Sequence, residues 1–297
     1  MKILFLTTCL LLILIAGSGQ DLRDTAVENT FFWKITSPAL AQPSYLYGTM
    51  HKTCATDVWF SPLLLEILRS CKIFYNETLD IRILKDSAIL IGKPKNGMQD
   101  FLGRNYFRSG RKILEKYYGA FTKEQLDNMG TTEFADRLIE ACHECRVISY
   151  DDSLYNLASQ NNLAIRGLEK LDEIIKFMPE RLHLTPGLDW FKNYISYPGI
   201  NRRAYLRDIS YYKKHDINWL YNQSAFKRAG GESSIYKENY IDGRNRLWLP
   251  RMEEAMKEAS SFFAVGCAHL PGFNGIITLL RKKGYTVTPL FYPGQNP

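Results

Sequence analysis

Apolar positions along the chain fall into two patterns. Short, nearly continuous runs rich in aromatic and β-branched residues predict strands at Phe31–Ile35, Tyr45–Tyr47, Cys71–Tyr75 and Phe262–Val265. Shorter runs predict strands at Val147–Tyr150, Leu163–Gly167 and Tyr285–Val287. Elsewhere apolar residues recur every three or four positions, which predicts helices. One runs over Ser61–Leu68, with Ser61 as N-cap and Pro62 at the first helical position. Others cover Arg111–Tyr118, Lys123–Met129, Thr132–Cys142, Leu154–Ser159, Asn201–Arg228 and Asn274–Lys283. The aromatics of Asn201–Arg228 read as core and interhelical contacts. Gln20–Thr30 reads as a loose polar leader and Pro179–Pro198 as an irregular connection. Within Lys237–Ala259, Pro250 is expected to kink or interrupt a helix.

The segment Phe262–Pro289 reads as strand, loop, helix, strand, which is the pattern of a parallel crossover. Together these elements predict an α/β fold: a central, mostly parallel sheet flanked by helices, with a large helical insertion at about 97–240 and one domain over about 31–290. Ligands of such sheets bind beyond the C-terminal ends of the strands. Two loops of the form Gly-x-x-His stand there, Gly48–His51 after Tyr45–Tyr47 and Gly266–His269 after Phe262–Val265. One such match arises by chance in roughly one of three chains of this composition, so the pair says more than either alone. The plain alternative is two loop histidines that cap helices or bond backbone. Glu77 also falls at a strand end, inside the glycosylation sequon Asn76-Glu77-Thr78; if Glu77 lies in a site, Asn76 carries no glycan.

Composition narrows the partners. Of 297 residues, 45% are hydrophobic, enough for a substantial core, and the net charge is +7. The basic residues are scattered, with no Lys/Arg tract interleaved with aromatics, so nucleic acid is not an expected partner. Met1–Gly19 reads as a signal peptide: Lys2, the apolar Ile3–Ile15, then Ala16-Gly17-Ser18. The expectation is a secreted or periplasmic protein with no stable membrane span once the leader is removed. That leaves Cys54, Cys71, Cys142, Cys145 and Cys267, an odd number, with Cys54 pairing Cys142 or Cys145 as a plausible disulfide. Cys142-His143-Glu144-Cys145 has no second C-x-x-C to complete a zinc site and reads as structural.

In order, these pieces resemble the TraB/PrgY/GumN family, whose animal branch includes the TIKI proteases. The resemblance lies in Phe32-Trp33-Lys34-Ile35, Ser44–His51, Glu77, Gly167-Leu168-Glu169, Arg244-Asn245 with Trp248 and Pro250, and Phe263–Leu270 with Gly272, Asn274-Gly275 and Gly284–Pro289. Cys267 stands where a small residue such as alanine is usual. Asp151-Asp152 stand where a glutamate is expected after Ser149-Tyr150. The resemblance implies an α/β core with a helical insertion. It also implies a peptidase dependent on a divalent metal (manganese, cobalt or zinc), with peptide or protein as substrate.

In that reading His51, Glu77 and His269 hold the metal. Two imidazoles and a carboxylate form a hydrolytic triad that leaves room for water. Arg244 stabilises an oxyanion, and Asn245 orients substrate or a ligand. Glu169 serves as general base or as a partner behind a histidine. Two alternatives stay open: a metal-free hydrolase in which His51 and Glu77 activate water directly, and a non-catalytic protein that sequesters a peptide.

Overall fold

The structure is a computed structural model that describes residues 26–78, 94–170, 172–173, 187–223 and 237–291. The expected leader Met1–Gly19 and the end of the expected Asn201–Arg228 helix lie outside these residues. The strands are β1 (Phe32–Thr36), β2 (Ser44–Thr49), β3 (Thr53–Cys54), β4 (Ile73–Thr78), β5 (Val147–Ile148), β6 (Ala164–Glu169), β7 (Ser261–Gly266) and β8 (Thr286–Leu290). The helices begin with α1 (Pro62–Ser70), α2 (Met98–Leu102), α3 (Arg104–Tyr118), α4 (Lys123–Asn128) and α5 (Thr131–His143). They continue with α6 (Tyr150–Gln160), α7 (Leu188–Ser196), α8 (Pro198–Lys213), α9 (Ile217–Gln223), α10 (Gly243–Glu258) and α11 (Ile276–Lys282). Among the described residues no helix is long and apolar enough to cross a membrane.

Six strands form one sheet in the order β6-β4-β7-β2-β1-β8. β6, β4, β7 and β2 pair in parallel, whereas β1 runs antiparallel to both β2 and β8. Five strands therefore share one direction, and β7–α11–β8 is the expected parallel crossover, passing over β2 and β1. The chain is α/β with a mostly parallel sheet, as its sequence pattern predicts. Every residue of β2 and β7 is buried, which is why these strands read as continuous apolar runs rather than alternating ones. At the centre the ring of Phe262 lies 6.0 Å from those of Phe32 and Phe74, and Phe263 stacks on Tyr75 at 5.1 Å.

A second core sits among α2–α5 and α7, built from residues such as Leu114, Phe134, Leu138 and Phe191. Between α5 and α7 the chain returns to the main sheet through α6 and β6, so the helical insertion is not one uninterrupted block. A small antiparallel ladder, β3 with β5, lies apart from the main sheet. Beside it a disulfide joins Cys54 to Cys145, with Cα atoms 5.6 Å apart, while Cys142 packs into the second core as a buried thiol.

Three expectations change. Pro179–Pro198 is not irregular throughout: α7 lies within it, because Phe191 and Ile195 stand one turn apart and bury one helical face in the second core. α10 runs through Pro250 without the interruption that was one of its two expected effects; the proline is on the exposed side, where water can stand in for the amide it lacks. The described end of the expected loose leader is tied down. Val27 N–H donates to Asn218 at 3.1 Å, and the Thr30 hydroxyl donates to the Leu290 carbonyl at 2.8 Å.

Truncating Phe262 to alanine removes the ring that joins β1, β4 and β7. Urea unfolding is expected to show a loss of about 3–5 kcal/mol. A loss below about 1 kcal/mol would mean that this contact does not organise the core.

Candidate active site at the carboxyl edge of the sheet

Parallel strands end at one edge, and this edge collects the polar residues. β2 ends at Thr49, two residues before His51; Glu77 is the penultimate residue of β4; Glu169 closes β6. β7 ends at Gly266 and continues into a single 3-10 turn, Cys267–His269. The first turns of α10 supply Arg244, Asn245 and Trp248, all buried.

Glu77 is the meeting point. Its Oε1 accepts the Gly266 amide at 2.7 Å and lies 3.9 Å from His51 Nε2 and 3.8 Å from His269 Nε2. Its Oε2 accepts from Arg244 Nη2 at 2.7 Å. Arg244 Nε also donates to both oxygens of Glu169, at 3.0 and 3.1 Å, and Nη2 donates to Oε1 of the same carboxylate. The guanidinium lies between the rings of Tyr240 and Trp248, at 4.7 and 4.6 Å, and Trp248 Nε1 donates to Glu169 at 2.9 Å.

Both histidines are oriented from behind. The amide nitrogen of Asn245 donates to the carbonyls of His269 and Asn274, so its oxygen faces His269 Nδ1 at 2.7 Å. That oxygen requires a proton on Nδ1, which leaves the Nε2 lone pair directed at the site, 3.4 Å from Arg244 Nη1. His51 Nδ1 donates to Asp151 at 2.9 Å. Asp151 is fixed by the hydroxyls of Thr49 at 2.7 Å and Ser149 at 2.9 Å, and Ser149 is also the N-cap of α6.

Two glycines permit this approach. A Cβ on Gly266 would stand 3.0 Å from His51 Nε2 and 3.2 Å from Glu77 Oε1; one on Gly48 would stand 3.2 Å from Cys267. The first glycine of each Gly-x-x-His loop thus has a steric reason.

The structure brings His51, Glu77 and His269 together, with Arg244 in direct contact. Asn245 touches the site through His269. Glu169 is set one layer back: among the described residues it bonds Arg244 and Trp248, not a histidine, which favours a role in fixing Arg244 over one as general base. Sequence reasoning missed Asp151 and Tyr240. The signal for Asp151 was available, since it follows a strand ending as Glu77 and the histidines do.

The charges follow from this packing. Burial raises the pKa of Glu77, but Arg244 and then the two histidines outweigh it, so the carboxylate is held well below its usual range. Asp151 raises His51 to about 9, with water close to an imidazole that is 58% exposed. Burial lowers His269 to about 3, helped by Arg244 and His51 against Glu77. Burial raises Glu169 despite Arg244. Arg244 stays charged because Glu77 and Glu169 outweigh its desolvation.

The donor set fits a divalent cation in kind: two imidazoles with Nδ1 engaged elsewhere, and one ionised carboxylate. Two donors on one tetrahedral ion at ~2.1 Å stand roughly 3.4 Å apart, so the spacings here need a contraction of a few tenths of an ångström. Among the described residues no group of three or more His, Cys, Asp or Glu is gathered to hold an ion as it stands.

His269 supplies a pH test. Its folded pKa lies below the ordinary value of 6.5, so its contribution to stability is complete above pH 6.5 and is lost as pH falls toward about 3. Its imidazole proton resonance is expected to keep the neutral position at pH 5. Half-titration of that resonance near 6.5 would show that the ring is not buried as described.

The sequence model of the TraB/PrgY/gumN family matches residues 31–289. No curated protein and no solved structure matches the chain.

Proposed function

This chain belongs to the TraB/PrgY/gumN family, and we propose that it is a secreted hydrolase, most simply a metal-dependent peptidase acting at the carboxyl edge of its sheet. The observation that carries this reading is the convergence of two imidazole Nε2 atoms on one oxygen of ionised Glu77, beside a guanidinium. His51, Glu77 and His269 are the residues that would hold the ion. A divalent cation there supplies Lewis acidity, which acidifies water and polarises a carbonyl.

The chain's own groups do the rest. Arg244 stays charged with Nη1 turned toward His269, where it stabilises negative charge developing on a substrate oxygen. Its clamp of Glu169, Tyr240 and Trp248 keeps it in place. Asp151 accepts the Nδ1 proton of His51 and so turns its Nε2 toward the site. Asn245 holds His269 in one tautomer.

A second reading keeps the residues and drops the metal, with His51 and Glu77 activating water directly. The Arg244–Glu77 ion pair favours it, since a positive charge already occupies one carboxylate oxygen.

Elemental analysis after loading with manganese, cobalt or zinc separates them. The parent is expected to bind one ion per chain, and His51→Ala, His269→Ala and Gly266→Ala are each expected to lose it. A peptide-cleavage screen with and without chelator follows; Arg244→Met is expected to lower kcat by about 10²–10³. A folded parent that takes up no metal yet cleaves peptides would establish the metal-free reading. Tight peptide binding without turnover would sink both and leave a sequestering protein.

A further inference from the structure

His51 and His269 are held very differently. His269 is 3% exposed, packed 4.5 Å from Trp248 and fixed by Asn245 on α10. His51 sits beyond the end of β2, on a segment outside the main sheet, and Asp151 stands across from it at the start of α6. Backbone pairing between these two segments is short: the two-residue ladder Thr53↔Ile148 and Cys54↔Val147, the Ala55 amide on the Arg146 carbonyl at 2.8 Å, and the Tyr150 amide on the Met50 carbonyl at 3.1 Å. Side chains add Thr49 to Asp151 at 2.7 Å, the Tyr150 hydroxyl between the Asp57 carbonyl and the Trp59 amide at 3.0 and 3.3 Å, and Phe60 against the Tyr150 ring. A ladder this short is marginal in water.

One covalent bond closes the same gap. Cys54 is three residues after His51, Cys145 is six residues before Asp151, and the two are disulfide-bonded. The bond closes a sequence separation of 91 residues and links the segment bearing the imidazole to the one bearing its carboxylate. A further set of anchors of the His51 segment leads to α8: the Cys54 amide and Asp57 bond to Tyr205, and Asp57 to Lys213.

We infer that the Cys54–Cys145 disulfide is a positioning element for the His51–Asp151 pair, and that its reduction by a dithiol releases His51 from the site while His269 stays in place. The reagent delivers two electrons and two protons; Cys54 and Cys145 become thiols, and the dithiol becomes a cyclic disulfide. The inference rests on the proposed hydrolase only for its consequence, namely a site assembled in oxidising surroundings and loosened in reducing ones.

The test uses imidazole proton–nitrogen spectra of the full chain at one pH, with signals assigned by His51→Gln and His269→Gln. Spectra are compared before and after a dithiol, and in Cys54→Ser/Cys145→Ser. Asp151→Asn gives the signature of an unpaired His51, and Cys142→Ser is the control that leaves the bond intact. Reduction is expected to move the His51 signals most of the way to those of Asp151→Asn, with His269 and the near-ultraviolet circular dichroism unchanged. An unmoved His51 would overturn the inference, showing that the noncovalent anchors suffice. Loss of the His269 signals or of the dichroism together with His51 would overturn it too, because the bond would then be a staple of the whole fold. Absence of metal or turnover would leave this inference standing, since the spectra report position and not activity.

Discussion

A guanidinium buried between two carboxylates is the interaction on which the site depends. The Arg244 side chain is 3% exposed and that of Glu169 is fully buried, so both charges have been taken out of water. Desolvation of that size is offset only when geometry is good and the remaining donors and acceptors are filled. Here they are: Arg244 reaches both oxygens of Glu169 and one of Glu77, Trp248 caps Glu169, and two rings cover the guanidinium faces. Breaking such a pair by removing one partner typically costs about 3–5 kcal/mol, because the other charge is left buried and unpaired. The same arrangement keeps Glu77 ionised against its own burial, and Glu77 is the group on which both histidines converge.

The sheet supplies the geometry. Four parallel strands, β2, β7, β4 and β6, deliver His51, His269, Glu77 and Glu169 to one edge from positions spread over more than two hundred residues of sequence. Glycine at the base of each histidine loop lets the two loops cross closely. At Gly266 a Cβ would press on both His51 and Glu77. α10 closes the site from one side with residues that are buried although they include a charge and an amide. The helical insertion keeps a separate core and reaches the site chiefly through the β3–β5 ladder and the start of α6, which carries Asp151.

Much of this was legible in the sequence. The apolar runs that became β2, β4 and β7 are buried on both faces and therefore continuous, a pattern that needs no tertiary information to be seen. Ser61-Pro62 marked the start of α1 because its chemistry is local, a side-chain oxygen capping an amide three residues on. The Gly-x-x-His loops and Glu77 stood out because strand ends of parallel sheets converge. The helix at Leu188–Ser196 was hidden because its stabilising contacts, Phe191 and Ile195 against Phe134, belong to the second core and leave no local signature beyond a weak period. Whether Pro250 interrupts its helix was not legible, because its cost depends on whether water reaches the carbonyl it leaves behind, and exposure is a tertiary property.

The sequence by itself determined the fold class and the edge of the sheet at which His51, Glu77 and His269 stand, because periodicity and strand-end position are written in the order of residues. Which partner each of those residues takes was decided only by the tertiary structure. Asp151 behind His51, Asn245 behind His269, Glu169 behind Arg244 and Cys145 as the mate of Cys54 are all long-range choices. Such choices depend on distances of a few ångströms between segments far apart in the chain, and on the burial that sets the charge of each group, neither of which spacing along the chain encodes.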